Sequence, residues 1–234
     1  MLENTIDAAQ DSFYSHEAGI HLYQMDCMAY MAQFPDGYFD LAIVDPPYGL
    51  PKSASQGRGR LKSRLLNTGN IGRWDVKPSP AYFKELFRVS KQQIIWGGNY
   101  FDLQPTRCVI AWDKCQPWPN FSQVELGWTS FNKPAPLFKC SNRRGKKIHP
   151  TQKPIELYEW QLQKFAKPGD KILDTHLGSA SSAIAAYKLG FEFHGTELDE
   201  TYFKASVERF KQAVQQINLF ERMEWTPPPN GRGR

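Results

Sequence analysis

The sequence predicts an α/β fold, a doubly wound and mostly parallel sheet, on two observations. Short apolar runs that stop at glycine or proline alternate with segments whose apolar residues recur at helical spacing, as in strands joined by crossover helices. In the second half, Lys171 to Asp174, a glycine-led helix from Gly178 to Leu189 and the run Glu192 to Glu197 make a complete strand, helix, strand unit. A chain of 234 residues is long enough for one such core, and 41% hydrophobic with 23% charged residues is an ordinary globular balance.

Taken in order, Ile20 to Gln24 reads as a strand. A helix from Asp26 to Phe34 follows, with Asp26 as its cap and Met28, Met31 and Ala32 on one face. Tyr38 to Val44 is a buried strand that must stop at Asp45-Pro46-Pro47-Tyr48-Gly49, because paired prolines bring no N–H to a ladder. Leu50 to Trp74 has no apolar period and is rich in Gly, Ser, Lys and Arg, which predicts a long mobile loop. A helix from Pro80 to Val89 leads into the strand Gln93 to Trp96, ended by Gly97-Gly98-Asn99. Two more strands span Arg107 to Trp112 and Ser122 to Ser130. Pro154 suits a helix first turn, and Ile155, Tyr158, Leu162 and Phe165 continue at helical spacing until Lys167-Pro168-Gly169. Phe203, Val207, Phe210, Val214 and Ile217 make one face of a last helix. After Phe220, consecutive prolines and a basic end predict extended or disordered chain. The expected organisation is one domain over 1–220 and a tail over 221–234.

No apolar run approaches the ~18 to 20 residues of a membrane span. The N-terminal segment carries acids where an export signal needs a basic start and an apolar stretch, so no membrane partner and a cytoplasmic location are expected. Cys27, Cys108, Cys115 and Cys140 are irregularly spaced and lack the paired pattern of a zinc site, which predicts reduced thiols and no metal. The net charge of +5 is small, but it is unevenly placed. No carboxylate lies between Asp45 and Asp75, a window that holds Lys52, Arg58, Arg60, Lys62, Arg64 and Arg73. A second acid-free window, Leu126 to Ile155, holds Lys133, Lys139, Arg143, Arg144, Lys146, Lys147 and Lys153. Each window is either a solvated basic loop or a surface that meets phosphates, and its neighbours decide between the two.

Two constellations carry chemistry. In the first, Asp174-Thr175-His176-Leu177-Gly178-Ser179-Ala180 closes a strand and opens a helix, and Glu197 ends the next strand. Glycine lets backbone approach a ligand, the helix start offers N–H groups, and an acid about 20 residues on can take both hydroxyls of a ribose. Asp174 would repel a pyrophosphate and suits a cofactor that carries positive charge. In the second, Asp45-Pro46-Pro47-Tyr48 puts a carboxylate, a carbonyl held by rigid prolines and an aromatic face within one short turn. An exocyclic amine on a base is a poor nucleophile, because its lone pair delocalises into the ring. A site that accepts the amine's hydrogens, here through Asp45 and the Pro46 carbonyl, draws it toward sp³. Tyr48 offers a face for a base turned out of its duplex. The plain alternatives are a strand-ending turn and a glycine that packs a helix on a strand.

The two constellations together resemble the β class of amino-methylating DNA methyltransferases, in which the catalytic motif precedes the cofactor motif. Asp45 to Gly49 is similar to the catalytic motif. His149-Pro150-Thr151-Gln152-Lys153-Pro154, then Asp174 to Ser182 and Thr196-Glu197, resemble the other motifs in that class's order, and the likeness spans about Leu22 to Phe210. It implies a Rossmann-like, S-adenosylmethionine-dependent methyltransferase fold with permuted motifs, and catalysis by Asp45, Pro46, Pro47 and Tyr48. S-adenosyl-L-methionine is implied as cofactor, bordered by Asp45, with Asp174, Gly178 and Ser179 flanking its methionine moiety and Glu197, followed by Leu198, holding the ribose. Asp26 and Cys27 would border the adenine, while Thr151 and Lys153 would hold the carboxylate end. Trp96 to Asn99 resembles a further motif that shapes both pockets.

This sequence departs from the class pattern in having Thr175-His176 and Ala180 in place of Pro-Phe and a second glycine. Only 132–148 is available for target recognition. Double-stranded DNA is the implied partner, met by Lys52, Arg58, Arg60, Lys62, Arg64, Arg143, Arg144, Lys146 and Lys147, and small members of the class suggest a homodimer. Asp rather than Ser at position 45 leans toward adenine N6 as the target. Cytosine N4, a related amine in RNA or protein, and a silent nucleic-acid binder remain the alternatives.

Overall fold

The computed structural model describes residues 12–49, 76–117, 122–142, 148–149 and 151–224. Within them a single sheet contains β1 (Phe13–His16), β2 (Ile20–Gln24), β3 (Phe39–Val44), β4 (Ser90–Trp96), β5 (Val109–Asp113), β6 (Val124–Thr129), β7 (Leu137–Lys139), β8 (Lys171–Asp174) and β9 (Glu192–Glu197). The helices are α1 (Cys27–Met31), α2 (Pro80–Val89), α3 (Ile155–Phe165), α4 (Ser181–Leu189) and α5 (Glu200–Glu224). The strand order is β1-β2-β9-β8-β3-β4-β6-β5-β7. The ladders from β2 through β9, β8 and β3 to β4 are all parallel, whereas β1 on β2, and β6 on both β4 and β5, are antiparallel. The mostly parallel α/β sheet expected from the sequence is therefore present, with an antiparallel extension at each side.

The alternation of side chains along each strand explains the two layers. Leu41 and Ile43 of β3 join Ile172, Ile94 and Phe193 in a cluster under α3, α4 and α5. Ala42 and Val44 point the other way, with Leu173 and Ile95, into a second cluster under α1 and α2. A strand buried on both faces reads as a continuous apolar run, which is what Leu41 to Val44 shows.

From β8 the chain moves to β9 on one side, and from β3 to β4 on the other. The direction of winding thus reverses between β8 and β3, which pair through Leu41 with Ile172 and Ala42 with Leu173. Ligands of such sheets bind at the carboxyl ends of the strands beside this reversal.

Several boundaries differ from expectation, with local causes. The first helix stops at Met31 rather than Phe34, because Gln33 and Phe34 hydrogen-bond back to Tyr30 and Met31 in tight turns ahead of Pro35. Asp26 caps it as expected, its Oδ1 accepting from the N–H groups of Met28 at 2.9 Å and Ala29 at 3.0 Å. The helix expected from Gly178 begins at Ser181, after a turn. Strands β1 and β7 were not foreseen, since both are short and half exposed. α5 runs to Glu224, past Phe220 where extended chain was expected, because Glu221 to Glu224 contain no helix breaker. No described helix is long and apolar enough to cross a membrane.

Leu173 is fully buried in β8 at the reversal. Leu173→Ala is expected to cost about 3 kcal/mol of stability, as core leucine truncations do; urea unfolding checks it, and a midpoint within error of the parent would contradict this account of the core.

Candidate active site

Because β2, β9, β8, β3 and β4 are parallel neighbours, their carboxyl ends share one rim of the sheet. That rim receives Asp26 and Cys27 after β2, Glu197 at the end of β9, Asp174 at the end of β8, Asp45 to Tyr48 after β3, and Gly97 after β4. β6 runs antiparallel to β4, so its amino end lies on the same rim and brings Glu125 there. β5, antiparallel to β6, delivers Lys114.

These elements converge on Asp45. Its Oδ1 accepts from the Tyr48 hydroxyl at 2.7 Å, and its Oδ2 is ion-paired with Lys153 Nζ. The Tyr48 hydroxyl is also 2.9 Å from Glu125 Oε1, which Lys153 Nζ approaches to 2.8 Å. Glu125 Oε2 pairs with Lys114 Nζ at 2.6 Å. Burial pushes the Asp45 carboxyl above the usual carboxylate range, with Lys153 opposing and Glu125 adding to the rise. For Glu125 burial works in the same upward sense, yet Lys153 and Lys114 hold it down at about 2. The Tyr48 ring stacks on Tyr100, 4.9 Å between centroids and 20° between planes. Gly97, at φ +67°, admits it: a Cβ there would stand 2.1 Å from Tyr48 Cε1.

Beside this cluster lies the turn after β8. Asp174 is buried; its Oδ1 accepts from His176 N–H at 3.0 Å and its Oδ2 from the Ser182 hydroxyl at 2.6 Å. Burial dominates its titration and moves its carboxyl up to about 7, against the pull of those hydrogen bonds. Glu197 Oε2 accepts from Gly178 N–H and its Oε1 from Asp199 N–H, both at 3.0 Å, which fixes the carboxylate over the turn. Gly178 has φ +52° and Ala180 φ +58°, and Ala180 holds this left-handed backbone at a strain cost of ~1 to 2 kcal/mol. His176 is packed edge-on to Tyr82, and its Nδ1 is 2.9 Å from the Thr175 hydroxyl. Burial lowers its pKa to about 4, so it is neutral at pH 7. Burial also pushes the Cys27 thiol up to about 12, which makes it a lining group rather than a nucleophile.

The structure thus gathers most of the residues expected from the sequence. Thr151 lies near the turn through His149, whose Nδ1 is 3.1 Å from the Thr151 hydroxyl and whose ring is 3.7 Å from a Cβ built on Gly178. Ser179 is buried, its hydroxyl 3.2 Å from that of Ser181, and its carbonyl accepts from Arg209. Leu198 is 68% exposed beside Glu197.

Lys153 departs from expectation on two counts. It is 4% exposed, so it is no part of a phosphate-facing surface, and its ammonium is engaged by Asp45 and Glu125. Lys52, Arg58, Arg60, Lys62, Arg64, Arg143, Arg144, Lys146 and Lys147 lie outside the described residues, as does the whole of the expected basic loop over 50–74.

Glu125, Lys114 and Tyr100 were missed. A signal for Glu125 exists: β6 exposes Val124 and Leu126 while Glu125 turns inward with Gly127 and Thr129, the reverse of the usual alternation. In the sequence that inversion looks like an ordinary strand.

A family model described as DNA methylase matches residues 128–208. The Type II methyltransferase M2.MboI of Moraxella bovis is 24% identical over 251 residues, covering 86% of this chain and 90% of its own. Among solved structures, the cytosine-N4-specific PvuII DNA methyltransferase superposes with a TM-score of 0.57 at 16% identity, over 84% of this chain and 90% of that one. The complex of M1.HpyAVI with SAM superposes at 0.50 with 22% identity, over 80% and 97%.

The contact of Tyr48 with bare backbone at Gly97 makes that position intolerant. Gly97→Ala combines left-handed strain of ~1 kcal/mol with overpacking of ~1 to 3 kcal/mol. A lowered urea midpoint and an altered near-ultraviolet dichroism of the Tyr48–Tyr100 stack are expected, and an unchanged spectrum and midpoint would refute the packing.

Proposed function

From the premise that this chain belongs to the N6/N4 DNA methyltransferase family, we propose that it methylates the exocyclic N6 amino group of adenine in double-stranded DNA, on a base turned out of the helix. It is an S-adenosylmethionine-dependent DNA methyltransferase. The observation that carries the finer reading is the juxtaposition of Asp45 and Asp174 at the reversal of the sheet, an amine acceptor on one strand end and a buried acid on the next.

The cofactor fits the residues present. The Asp174 carboxyl, poised at about 7, is stabilised as an anion by a cation brought beside it. The Glu197 oxygens, each already taking one backbone N–H, keep lone pairs for the two hydroxyls of a ribose. The positive φ of Gly178 and Ala180 turns the backbone away at the mouth of α4. When bound, the cofactor supplies an electrophilic methyl group on a sulfonium.

The rest of the chemistry belongs to this chain. Asp45 accepts a hydrogen bond from the target amine, and the Pro46 carbonyl takes the other hydrogen, which localises the nitrogen lone pair. Pro46 and Pro47 hold that carbonyl and carboxylate in fixed relation because their φ angles are locked. The Tyr48–Tyr100 stack, with Tyr100 40% exposed, is an aromatic pile against which an unpaired base packs. An Asp at position 45 supports adenine over cytosine as the target.

The direct test is to incubate unmethylated DNA with the protein and methyl-labelled S-adenosylmethionine, digest it to nucleosides and identify the labelled base. N6-methyladenine is expected; N4-methylcytosine would overturn the adenine reading. Asp45→Ala is expected to lower transfer by at least about 100-fold, the scale of a lost acid–base group, with cofactor affinity within threefold; normal turnover would sink its role. Glu197→Ala is expected to weaken cofactor binding about 10- to 100-fold, as loss of charged hydrogen bonds does, and an unchanged dissociation constant in calorimetry would refute it.

A further inference from the structure

Asp45 cannot act alone in the place where the fold puts it. Its side chain is 15% exposed and that of Glu125 16%, and they share one lysine, Lys153, whose side chain is 3% exposed. Two carboxylates this close and this dry do not both stay ionised unless cations balance them. Two do: Lys153 between the carboxylates and Lys114 on the far oxygen of Glu125. The same Glu125 oxygen that meets Lys153 also lies within reach of the Tyr48 hydroxyl, so one carboxylate holds both groups that hold Asp45.

We propose that Glu125, seated by Lys114, is a positioning residue for methyl transfer: it fixes Lys153 and the Tyr48 hydroxyl on Asp45 and thereby sets both the direction and the charge of the Asp45 carboxylate. The inference rests on Asp45 being the acceptor of the target amine. It also gives Lys153 a different task from holding the cofactor's carboxylate end, because its ammonium is spent on two carboxylates.

The titratable groups that face Asp45 and its partner Glu125 come from every neighbouring element. They are Tyr48 on its own turn, Lys153 before α3, Glu125 on β6, Lys114 after β5, Asp174 on β8, Tyr82 on α2 and Tyr158 on α3. The signs can be assigned. Removing the negative charge of Glu125 leaves Asp45 easier to ionise, so the acidic limb of the rate profile moves to lower pH. Removing Lys153 makes Asp45 harder to ionise and moves that limb up. Removing Lys114 leaves Glu125 unbalanced, and it also moves the limb up.

The experiment measures kcat against pH with saturating DNA and cofactor, from pH 5 to 9, for the parent, Glu125→Gln, Lys153→Met and Lys114→Met, with cofactor affinity by calorimetry. Glu125→Gln, nearly isosteric, is expected to lower kcat and to shift the acidic limb down. The lysine variants are expected to shift it up, each by about one pH unit or more, the scale of a neighbouring charge. Cofactor dissociation constants are expected to stay within threefold. Limbs that stay put, or that move in the same direction in the Glu125 and lysine variants, overturn the proposal. So does a Lys153→Met variant whose defect is mainly weaker cofactor binding. If Lys153→Met does not fold, the opposite shifts of Glu125→Gln and Lys114→Met decide the matter. A parent protein that methylates no DNA would defeat the functional reading itself, whereas an active parent with unmoved limbs defeats only this inference.

Discussion

The site depends on one arrangement, the side-by-side, parallel pairing of β3 and β8 where the winding of the sheet reverses. Strands wound outward in opposite directions leave a crevice at their carboxyl ends, because the connections above them diverge. Asp45, just after β3, and Asp174, the last residue of β8, are brought to that crevice although far apart in the sequence. Without this pairing the turn after β3 and the turn after β8 would stand on unrelated surfaces.

Placing acids in a crevice has an electrostatic consequence. Asp45, Glu125 and Asp174 are all substantially removed from water, and burial raises the cost of each negative charge. The fold answers differently at each. Glu125 is paired twice, with Lys153 and Lys114, and remains an anion. Asp45 has one cation and one hydroxyl. Among the described residues Asp174 has only a hydroxyl and a backbone N–H, and its carboxyl rises to about 7. The gradient runs from a carboxylate paired with two lysines at Glu125 to one with no cation among the described residues at Asp174.

Backbone conformation supports the same ends. Gly97 and Gly178 occupy left-handed conformations at the ends of β4 and near β8, where the chain turns sharply over the rim. Gly97 leaves room for the Tyr48 ring against bare backbone. Ala180 holds a left-handed conformation that glycine adopts without strain, so its methyl group makes this turn more costly than glycine would.

The sequence by itself determined the strands that are apolar on both faces, the stop imposed by Pro46-Pro47, the Asp26 cap and the helix from Ile155, because each follows from local periodicity, a missing N–H or a capping side chain. It also brought out Asp45, Asp174 and Glu197 as candidates, since these acids end or directly follow recognisable strands. It did not reveal Glu125 and Lys114, and it assigned Lys153 a different partner. Those roles arise from antiparallel pairing of β4 with β6 and of β6 with β5, which folds two later segments back onto the rim. Local pattern records which face of a strand is apolar. It carries no record of which distant strand lies beside it, so only the tertiary structure decided which charges meet.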